Sequence, residues 1–196
     1  MKRLFDFTFA VLGLIILSTV LIILSLLIII TSPGTALYSQ KRVGRQGRLF
    51  TLYKFRTMVR NADTMTGGSI TVENDDRITS IGKLLRRWKL DELPTILSVL
   101  KGDMSFVGPR PDVPGYADIL VGESRRVLEM RPGITGPATL KYSNEEKLLA
   151  GVDNHKKYND EVIFPDKVKI NLEYMDNWSL WMDIKIIFKT IFRKNY

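Results

Sequence analysis

A long apolar run dominates the beginning of the chain. From Phe7 to Ile30 the sequence carries no charge and only scattered hydroxyl side chains, and about 20 such residues cross the hydrocarbon core of a bilayer. The pattern therefore predicts a membrane-inserted helix. The alternative is a cleaved signal peptide that starts with Met1, Lys2 and Arg3, but the run is too long and no small-residue cleavage site follows it.

The polar part of the chain starts with helix-interrupting and basic residues. Ser32, Pro33 and Gly34 end any preceding helix. The cations that follow are Lys41, Arg42, Arg45 and Arg48. Clustered cations beside a membrane segment mark its cytoplasmic side. We therefore expect a membrane helix with its connection at residues 1–40 and a cytoplasmic domain at residues 41–196.

Apolar spacing predicts the first elements of this domain. Residues 49–58, LFTLYKFRTM, alternate as a short strand does, and residues 64–79 form a polar loop that contains glycine. After this loop, apolar residues three and four positions apart predict two helices. Their apolar positions are Ile81, Leu84, Leu85 and Trp88 in the first, and Leu93, Ile96, Leu97 and Leu100 in the second. Gly102 is the expected end of the second helix, and Pro94 fits its first turn.

The second half of the domain is less regular. Proline and glycine predict a stiff loop at residues 102–116 and a tight element at 131–137, which follows a helical stretch ending near Met130. Residues 142–166 are polar and weakly patterned. The elements together predict a mainly α protein with a small β element, an α+β fold.

The chain is expected to close with an amphipathic helix at about residues 178–194. Its apolar stripe consists of Trp178, Trp181, Met182, Ile187, Phe188, Ile191 and Phe192, beside Lys185, Lys189, Arg193 and Lys194. A helix in a membrane interface and a helix packed on a core share this pattern, so both interpretations stay open.

Composition restricts the partners and the metal chemistry. A balance of 29 Lys+Arg against 21 Asp+Glu gives a net charge of +8, which indicates an anionic partner such as nucleic acid, acidic lipid or a phosphorylated substrate. The chain has no cysteine, which excludes disulfides and thiolate metal sites and is typical of a reducing compartment. With His155 as the single histidine, a histidine-rich metal centre is excluded as well.

Two adjacent acids, Asp91 and Glu92, lie where the two predicted helices meet. Acids near a helix start often act only as caps. Their surroundings favour a catalytic role over a cap. Arg86 precedes them, and Arg110 is held between two prolines, as a phosphate clamp requires. Carboxylates and cations beside a membrane suggest phosphoryl transfer with Mg²⁺, which binds one or two carboxylates together with substrate phosphates.

Lys54 and Arg56 flank Phe55 in the predicted strand. On a strand they would share one face and grip a polyanion there. A solvated basic edge that discourages strand pairing is the alternative.

Several segments resemble the monotopic phosphoglycosyl transferases, also called bacterial sugar transferases. They are KRLFDF, QKRVG, YKFRTM, LDELPTILSVLKGDMSFVGPRP, RPGITGPA and DNWSLWMDIKIIFKTI, spread over nearly the whole chain. The resemblance implies a reaction in which a UDP-sugar donates its phosphosugar to a polyprenol phosphate and UMP is released. It implies a location on the cytoplasmic face of the bacterial inner membrane, a role in polysaccharide assembly, and no nucleic-acid partner.

The resemblance also implies the site residues. Asp91 would attack the β-phosphate, hold the phosphosugar covalently and bind Mg²⁺, and Glu92 would position metal or substrate. The matching phosphate-binding positions are Arg110, Arg86, Lys54 and Arg56, with Arg131 on the nucleotide side. Two alternatives stay open: direct transfer without a covalent intermediate, and a membrane-tethered basic module that binds anionic lipid or nucleic acid without catalysis.

Two stretches depart from the family pattern. Members usually carry Ser-Pro where this chain has Ser18 and Thr19, and that break turns the helix back as a re-entrant hairpin. Hydroxyl side chains bend a helix less forcefully than proline, so we expect a re-entrant helix and keep a full span as the alternative. The second departure, Leu140–Asp166, is expected to border the sugar. Because this stretch differs from the family pattern, the sequence does not identify the sugar or the glycan pathway. The sequence leaves the oligomeric state open as well.

Overall fold

The computed structural model describes residues 1–62 and 75–192, apart from the side chains of residues 146 and 147. Most of the predicted loop at residues 64–79, and Arg193 and Lys194 of the predicted last helix, lie outside these ranges. Within them the protein is mainly helical with small sheets, in agreement with the predicted α+β class.

The first helix, α1, spans Lys2–Thr31 and is about 45 Å long at 1.5 Å per residue. Among the described residues it is the one helix long and apolar enough to cross a membrane. Helix α1 continues through Ser18 and Thr19, where the sequence predicted a break. The Ser18 hydroxyl donates back to the Ile15 carbonyl oxygen at 2.8 Å, the contact through which such residues bend helices.

One stripe of α1 packs on the rest of the protein along the whole helix. Its contacts repeat at helical spacing, and they come from Asp6, Ala10, Leu14, Leu21, Leu24 and Ile28. The opposite side is open, with Ile16 74% and Ile30 79% exposed. The helix therefore lies along the polar domain and keeps a second apolar face free.

A β-hairpin follows α1. Strand β1, Leu37–Val43, pairs antiparallel with β2, Leu49–Phe55, in a register that places Leu37 opposite Phe55 and Val43 opposite Leu49. The predicted strand is confirmed as β2, whereas β1 was missed because its cations concealed the alternation of exposed and covered positions. The expected boundary at residue 40 falls inside β1.

Both predicted helices after the hairpin are confirmed, with differences in detail. Helix α2 spans Ser80–Arg87 and is capped by Thr79, whose Oγ1 accepts from the Gly82 amide at 3.0 Å. Its apolar face is only half buried. Leu85 is fully buried, whereas Leu84 and Trp88 are 50% and 57% exposed.

The second predicted helix has two parts. A 3₁₀ helix, Leu90–Thr95, leads directly into α3, Ile96–Lys101. Helix α3 ends at Gly102, as predicted, and Gly102 has a φ of 93°. Pro94 lies in the 3₁₀ helix rather than in the first turn of α3. Asp91 and Glu92 lie in the first turn of that 3₁₀ helix.

The predicted stiff loop contains a strand that its prolines concealed. Strand β3, Ser105–Val107, pairs in parallel with β4, Gly133–Thr135, which is the tight element predicted at residues 131–137. Between them lie 3₁₀ helices at Ala117–Ile119 and Gly122–Glu129, the second of which is the helical stretch expected to end near Met130.

The remaining residues are helical, including the region without a clear pattern. The elements are α4 Pro137–Lys141, α5 Glu145–Ala150, α6 His155–Tyr158, a π turn at Asn159–Ile163, α7 Phe164–Asp176 and α8 Leu180–Ile191. Trp178 precedes α8 rather than lying in it. One side of this helix packs on the core, as one of the two interpretations expected, because Ile186 is buried at 1% exposure, whereas Trp181 and Phe188 on the other side are 63% and 57% exposed.

Candidate active site

The residues predicted for the site converge on one cavity of about 1770 Å³. Its walls come from the β1–β2 hairpin, the 3₁₀ helix Leu90–Thr95, the loop after β3, and helices α4, α5 and α7. The predicted residues that line it are Asp91, Glu92, Arg110, Arg86, Lys54 and Arg56. Arg131 does not line it, since its Nε donates to the Gly102 carbonyl oxygen at 2.7 Å.

Glu92 is held between two cations. Its Oε1 accepts hydrogen bonds from Lys54 Nζ at 2.7 Å and from Arg110 Nη2 at 2.6 Å. Burial alone would raise the pKa of Glu92, but attraction to Arg110 and Lys54, with their hydrogen bonds, outweighs it and holds the pKa well below the usual range. Glu92 is therefore a fixed anion that positions both cations at the cavity wall.

Asp91 has the opposite environment. Its Oδ1 is buried without a hydrogen-bond partner among the residues that the structure describes. Burial first, and then repulsion by Glu92, raise the pKa of Asp91 above the ordinary aspartate value. A cation or an electrophile that reaches this oxygen would meet no competing hydrogen bond from the described protein.

The loop that carries Arg110 is fixed by backbone contacts with β4. The Gly108 amide donates to the Thr135 carbonyl oxygen at 2.9 Å, and the Gly133 amide donates to the Pro109 carbonyl oxygen at 2.8 Å. A Cβ at Gly108 would approach the Arg131 carbonyl oxygen within 2.4 Å. Close packing of glycine backbones therefore aims Arg110 at Glu92, and Arg131 contributes to this arrangement through its backbone.

Arg56 has a second task besides lining the cavity. Its Nη1 and Nη2 donate to the carbonyl oxygens of Pro33 and Ser32 at 2.9 and 2.6 Å. The backbone of Gly34, with φ of 124°, lies so close that an added Cβ would be 2.1 Å from Arg56 Nη1. This arginine therefore ties the end of α1 to the end of β2, in addition to its predicted contact with phosphate.

Sequence reasoning missed further charged residues of the cavity wall, among them Arg42, Asp112 and Lys167. Arg42 donates to the Pro111 carbonyl oxygen at 3.1 Å. Burial raises the pKa of Asp112 to about 6, although the nearby cation of Lys167 opposes this. Asp112 follows Arg110 by two positions in the stiff loop, which is a signal that the sequence offered, whereas nothing in the sequence pointed to Lys167.

The cavity also reaches helix α1. Leu17 of α1 lines it, next to the Ser18–Thr19 pair, which does not. Apolar side chains of the cavity wall further include Leu93, Ile96, Ile187 and Ile191. A ligand with a charged head and an apolar chain would therefore find charged residues and a long apolar helix around one cavity.

The donor set fits a magnesium ion shared with a phosphate substrate. Within the described ranges no group of three or more His, Cys, Asp or Glu residues could hold a metal by itself. Mg²⁺ is commonly bound by one or two carboxylates together with substrate phosphates. The carboxylate of Asp91 supplies such an oxygen in a cavity that is also lined by Lys54 and Arg110.

Several known proteins are similar to this chain over nearly its whole length. It is 39% identical over 200 residues to the galactosyl transferase CpsE of Streptococcus agalactiae, covering 97% of this chain and 41% of that protein. It is 36% identical over 200 residues to the UDP-glucose:undecaprenyl-phosphate glucose-1-phosphate transferase of Escherichia coli, with 98% and 40% covered. It is 37% identical over 197 residues to the exopolysaccharide production protein PSS of Rhizobium leguminosarum, with 97% and 93% covered.

The lengths of these relatives differ. This chain spans about two fifths of the first two and nearly the whole of the third. The family model described as bacterial sugar transferase matches residues 1–194. The chain therefore belongs to the bacterial sugar transferase family.

Proposed function

We propose that this protein transfers a phosphosugar from a UDP-sugar to a polyprenol phosphate and releases UMP. The observation that carries the proposal is Asp91, which lines a cavity with several cations and whose buried Oδ1 has no hydrogen-bond partner within residues 1–62 and 75–192. The names of relatives support the substrates, since the Escherichia coli protein is a UDP-glucose:undecaprenyl-phosphate glucose-1-phosphate transferase.

The reaction proceeds in two displacements at one phosphorus atom. Asp91 Oδ1 attacks the β-phosphorus of the donor, and the bond from that phosphorus to the bridging oxygen breaks, so UMP leaves with the electron pair. An oxygen of the polyprenol phosphate then attacks the same phosphorus and releases Asp91. The two polyanionic substrates thus never need to occupy the site together, and no general base is needed because a phosphate monoester is largely ionised near neutral pH.

The other residues position charge. We assign the nucleophile to Asp91 rather than to Glu92, because Glu92 Oε1 accepts hydrogen bonds from both Lys54 and Arg110. Held this way, the guanidinium of Arg110 presents its remaining N–H groups to phosphate oxygens. Arg86, which also lines the cavity, adds positive charge near Asp91. Bound Mg²⁺, with Asp91 as its protein ligand, would neutralise diphosphate charge.

The attachment of α1 supports a location on one face of the membrane. At its start, Arg3 Nη1 and Nη2 donate to the Val99 and Leu100 carbonyl oxygens at 2.6 and 2.8 Å. At its end, Arg56 binds the Ser32 carbonyl oxygen. Because both ends are bound to one polar domain, a straight span would carry that domain into the bilayer, where its polar groups are costly. We therefore favour the re-entrant arrangement, with the domain on the cytoplasmic face.

Helix α8 supports contact with the same membrane surface. Trp181, Phe188 and Ile191 are 63%, 57% and 67% exposed, and Lys185 lies over the Trp181 ring at 5.6 Å. Exposed aromatic residues beside lysine are typical of helices that lie in the interface. This helix would hold the cavity at the height of the lipid head groups.

The test is the reaction itself. Purified protein is incubated with Mg²⁺, undecaprenyl phosphate and a panel of UDP-sugars, and UMP is measured. We expect UMP with at least one donor, a phosphosugar adduct on Asp91 when the acceptor is omitted, and ping-pong kinetics. Direct transfer would give lipid product with no adduct, and a non-catalytic lipid-binding module would give neither.

Replacing Asp91 by Asn separates these outcomes further. The nucleophile is lost while the volume is kept, so UMP release should fall below about one thousandth of the wild-type rate. Glu123→Gln, an exposed acid outside the cavity lining, is the matched control and should keep full activity. Wild-type turnover in Asp91→Asn would overturn the proposal.

A further inference from the structure

Two neutral side chains of the cavity wall have a buried oxygen that lacks a partner. Among the described residues, neither Asn171 Oδ1 nor Thr139 Oγ1 has a hydrogen-bond partner, and both residues line the cavity. Asn171 as a whole is 7% exposed. Buried polar groups are nearly always hydrogen-bonded in native proteins, so two such atoms on one cavity wall point to a ligand that satisfies them.

The structure places both residues on neighbouring elements. Thr139 lies on α4 and Asn171 on α7, and these two helices pack together. Asn171 follows Lys167 by four positions, so the two share one face of α7. Lys167 in turn is a charged neighbour of Asp112, two positions after Arg110. The uncharged pair therefore lies where α4 and α7 pack together, on the side of the cavity that carries Lys167.

The chemistry of the two atoms selects their ligand. The amide Oδ1 of Asn171 only accepts hydrogen bonds, so an ionised phosphate, which also only accepts, leaves it unsatisfied. A uridine offers one N–H donor on its ring and the hydroxyl groups of its ribose, whereas the hexose adds several further hydroxyl groups that both donate and accept, so a UDP control separates the two. The carboxylate of Asp112 on the same wall is a further acceptor for hydroxyl groups.

We propose that Asn171 and Thr139 bind hydroxyl groups of the donor's sugar and determine which sugar is accepted. The inference rests on the proposed function, because it assumes a nucleotide-sugar donor. A site built to bind a sugar hydroxyl discriminates against a sugar that lacks it or points it elsewhere, since the buried oxygens are then left unpaired. Thr139 and Asn171 are thus specificity-determining residues, apart from the charged groups that bind phosphate.

The experiment compares donors and inhibitors in matched variants. Asn171→Ala and Thr139→Val remove one polar group each, and Thr139→Ser keeps the hydroxyl. Asn177→Ala, at the exposed end of the same helix and outside the cavity lining, is the control. For each variant kcat/KM is measured with UDP-glucose, UDP-galactose and UDP-N-acetylgalactosamine, and the inhibition constant is measured for UDP, which lacks the sugar.

We expect Asn171→Ala to lower kcat/KM for the preferred donor about tenfold and to reduce its preference over the other sugars by a similar factor. Thr139→Val should act in the same direction, and Thr139→Ser should restore activity. The inhibition constant of UDP and the kinetics of Asn177→Ala should not change. An equal rise in the UDP inhibition constant would place the nucleoside there, and equal losses for all sugars would indicate a structural role; either result overturns the inference.

A binding measurement tests the sugar site independently of the proposed reaction. In the Asp91→Asn background, the affinities for the preferred UDP-sugar and for UDP are measured without acceptor. We expect the UDP-sugar to bind more tightly than UDP, and Asn171→Ala to remove the difference. If the wild-type protein transfers no phosphosugar but this difference is found, the proposed reaction fails and the sugar site stands. If transfer occurs and the difference does not depend on Asn171, only the sugar site fails.

Discussion

Asp91 and Glu92 are adjacent in the chain and have opposite electrostatic environments. Glu92 Oε1 accepts hydrogen bonds from Lys54 and Arg110, and its pKa is lowered. Asp91 Oδ1 is buried with no partner in the part of the chain described, and its pKa is raised. The Glu92 carboxylate thus stabilises the fold and positions two cations. The Asp91 carboxylate is buried without a partner and lowers the stability of the fold.

Asp91→Asn should abolish transfer and at the same time make the folded protein more stable. A raised pKa means that the ionised form of Asp91 is disfavoured in the folded state, and its contribution to stability is lost as the pH rises through the folded pKa. Asparagine has no charge to bury, so we expect the melting temperature at neutral pH to rise by roughly 3 °C. Thermal unfolding in detergent measures this, and a lower melting temperature than that of wild type would contradict it.

Glu92→Gln should have the opposite effect on stability. It leaves the charges of Lys54 and Arg110 without their anion, which we expect to cost about 2–3 kcal/mol. A lowered pKa gives a contribution that is present above the unfolded value of about 4.3 and is lost as the pH falls below it. The difference between wild type and Glu92→Gln should therefore shrink below about pH 4. A difference in stability between the two proteins that stays constant with pH would show that the charge of Glu92 does not contribute to it.

Asp112 should make the stability depend on pH in the range near neutrality. Burial raises the pKa of Asp112 to about 6, compared with about 3.9 in an unfolded chain. Its favourable contribution is complete below about pH 3.9 and is lost as the pH rises through about 6. Asp112→Asn avoids this loss, so it should gain on the order of 2 kcal/mol over wild type between about pH 4 and pH 7. Unfolding midpoints measured across this range test it, and parallel curves would exclude the effect.

Gly34→Ala should loosen the end of α1. A Cβ there would lie 2.1 Å from Arg56 Nη1, and the backbone has a φ of 124°, a conformation that costs about 1–3 kcal/mol for other residues. Gly151→Ala is the matched control, because its φ is −89° and its nearest atom would be 3.7 Å away. We expect a lower melting temperature for Gly34→Ala alone. Equal melting temperatures for both variants would mean that the Arg56 contact does not hold this turn.

Both termini should lie on the cytoplasmic side. At the start of α1, Lys2 donates to the buried carboxylate of Asp183 in α8, which also accepts from Tyr174 and Trp178. The beginning of the membrane helix is thus bound to the C-terminal helix of the domain. The chain has no cysteine, so single cysteines added at either terminus can be labelled selectively. An impermeant thiol reagent should label neither in intact cells and both in lysed cells, and labelling of the N-terminal cysteine in intact cells would refute the re-entrant helix.

Local patterns were enough to predict several elements correctly. The apolar run of α1, the alternation of β2, the spacing in α2 and the stop at Gly102 each depend on one element and its own burial. The pairing of β3 with β4 was missed, because prolines and glycines mark turns whether or not a short strand lies between them. Strand β1 was missed because a strand with one buried position has no apolar alternation.

The sequence by itself determined that this chain has a long apolar helix near its beginning and places two acids beside a basic region, since hydrophobic runs and adjacent charges are local properties. Only the tertiary structure decided which acid is held and which stays available, because Lys54 and Arg110 reach Glu92 from 38 and 18 residues away. It also gave Arg56 its contact with the end of α1 and left Asn171 buried without a partner in the described chain. Such contacts depend on which surfaces pack together, and no spacing along the chain records that.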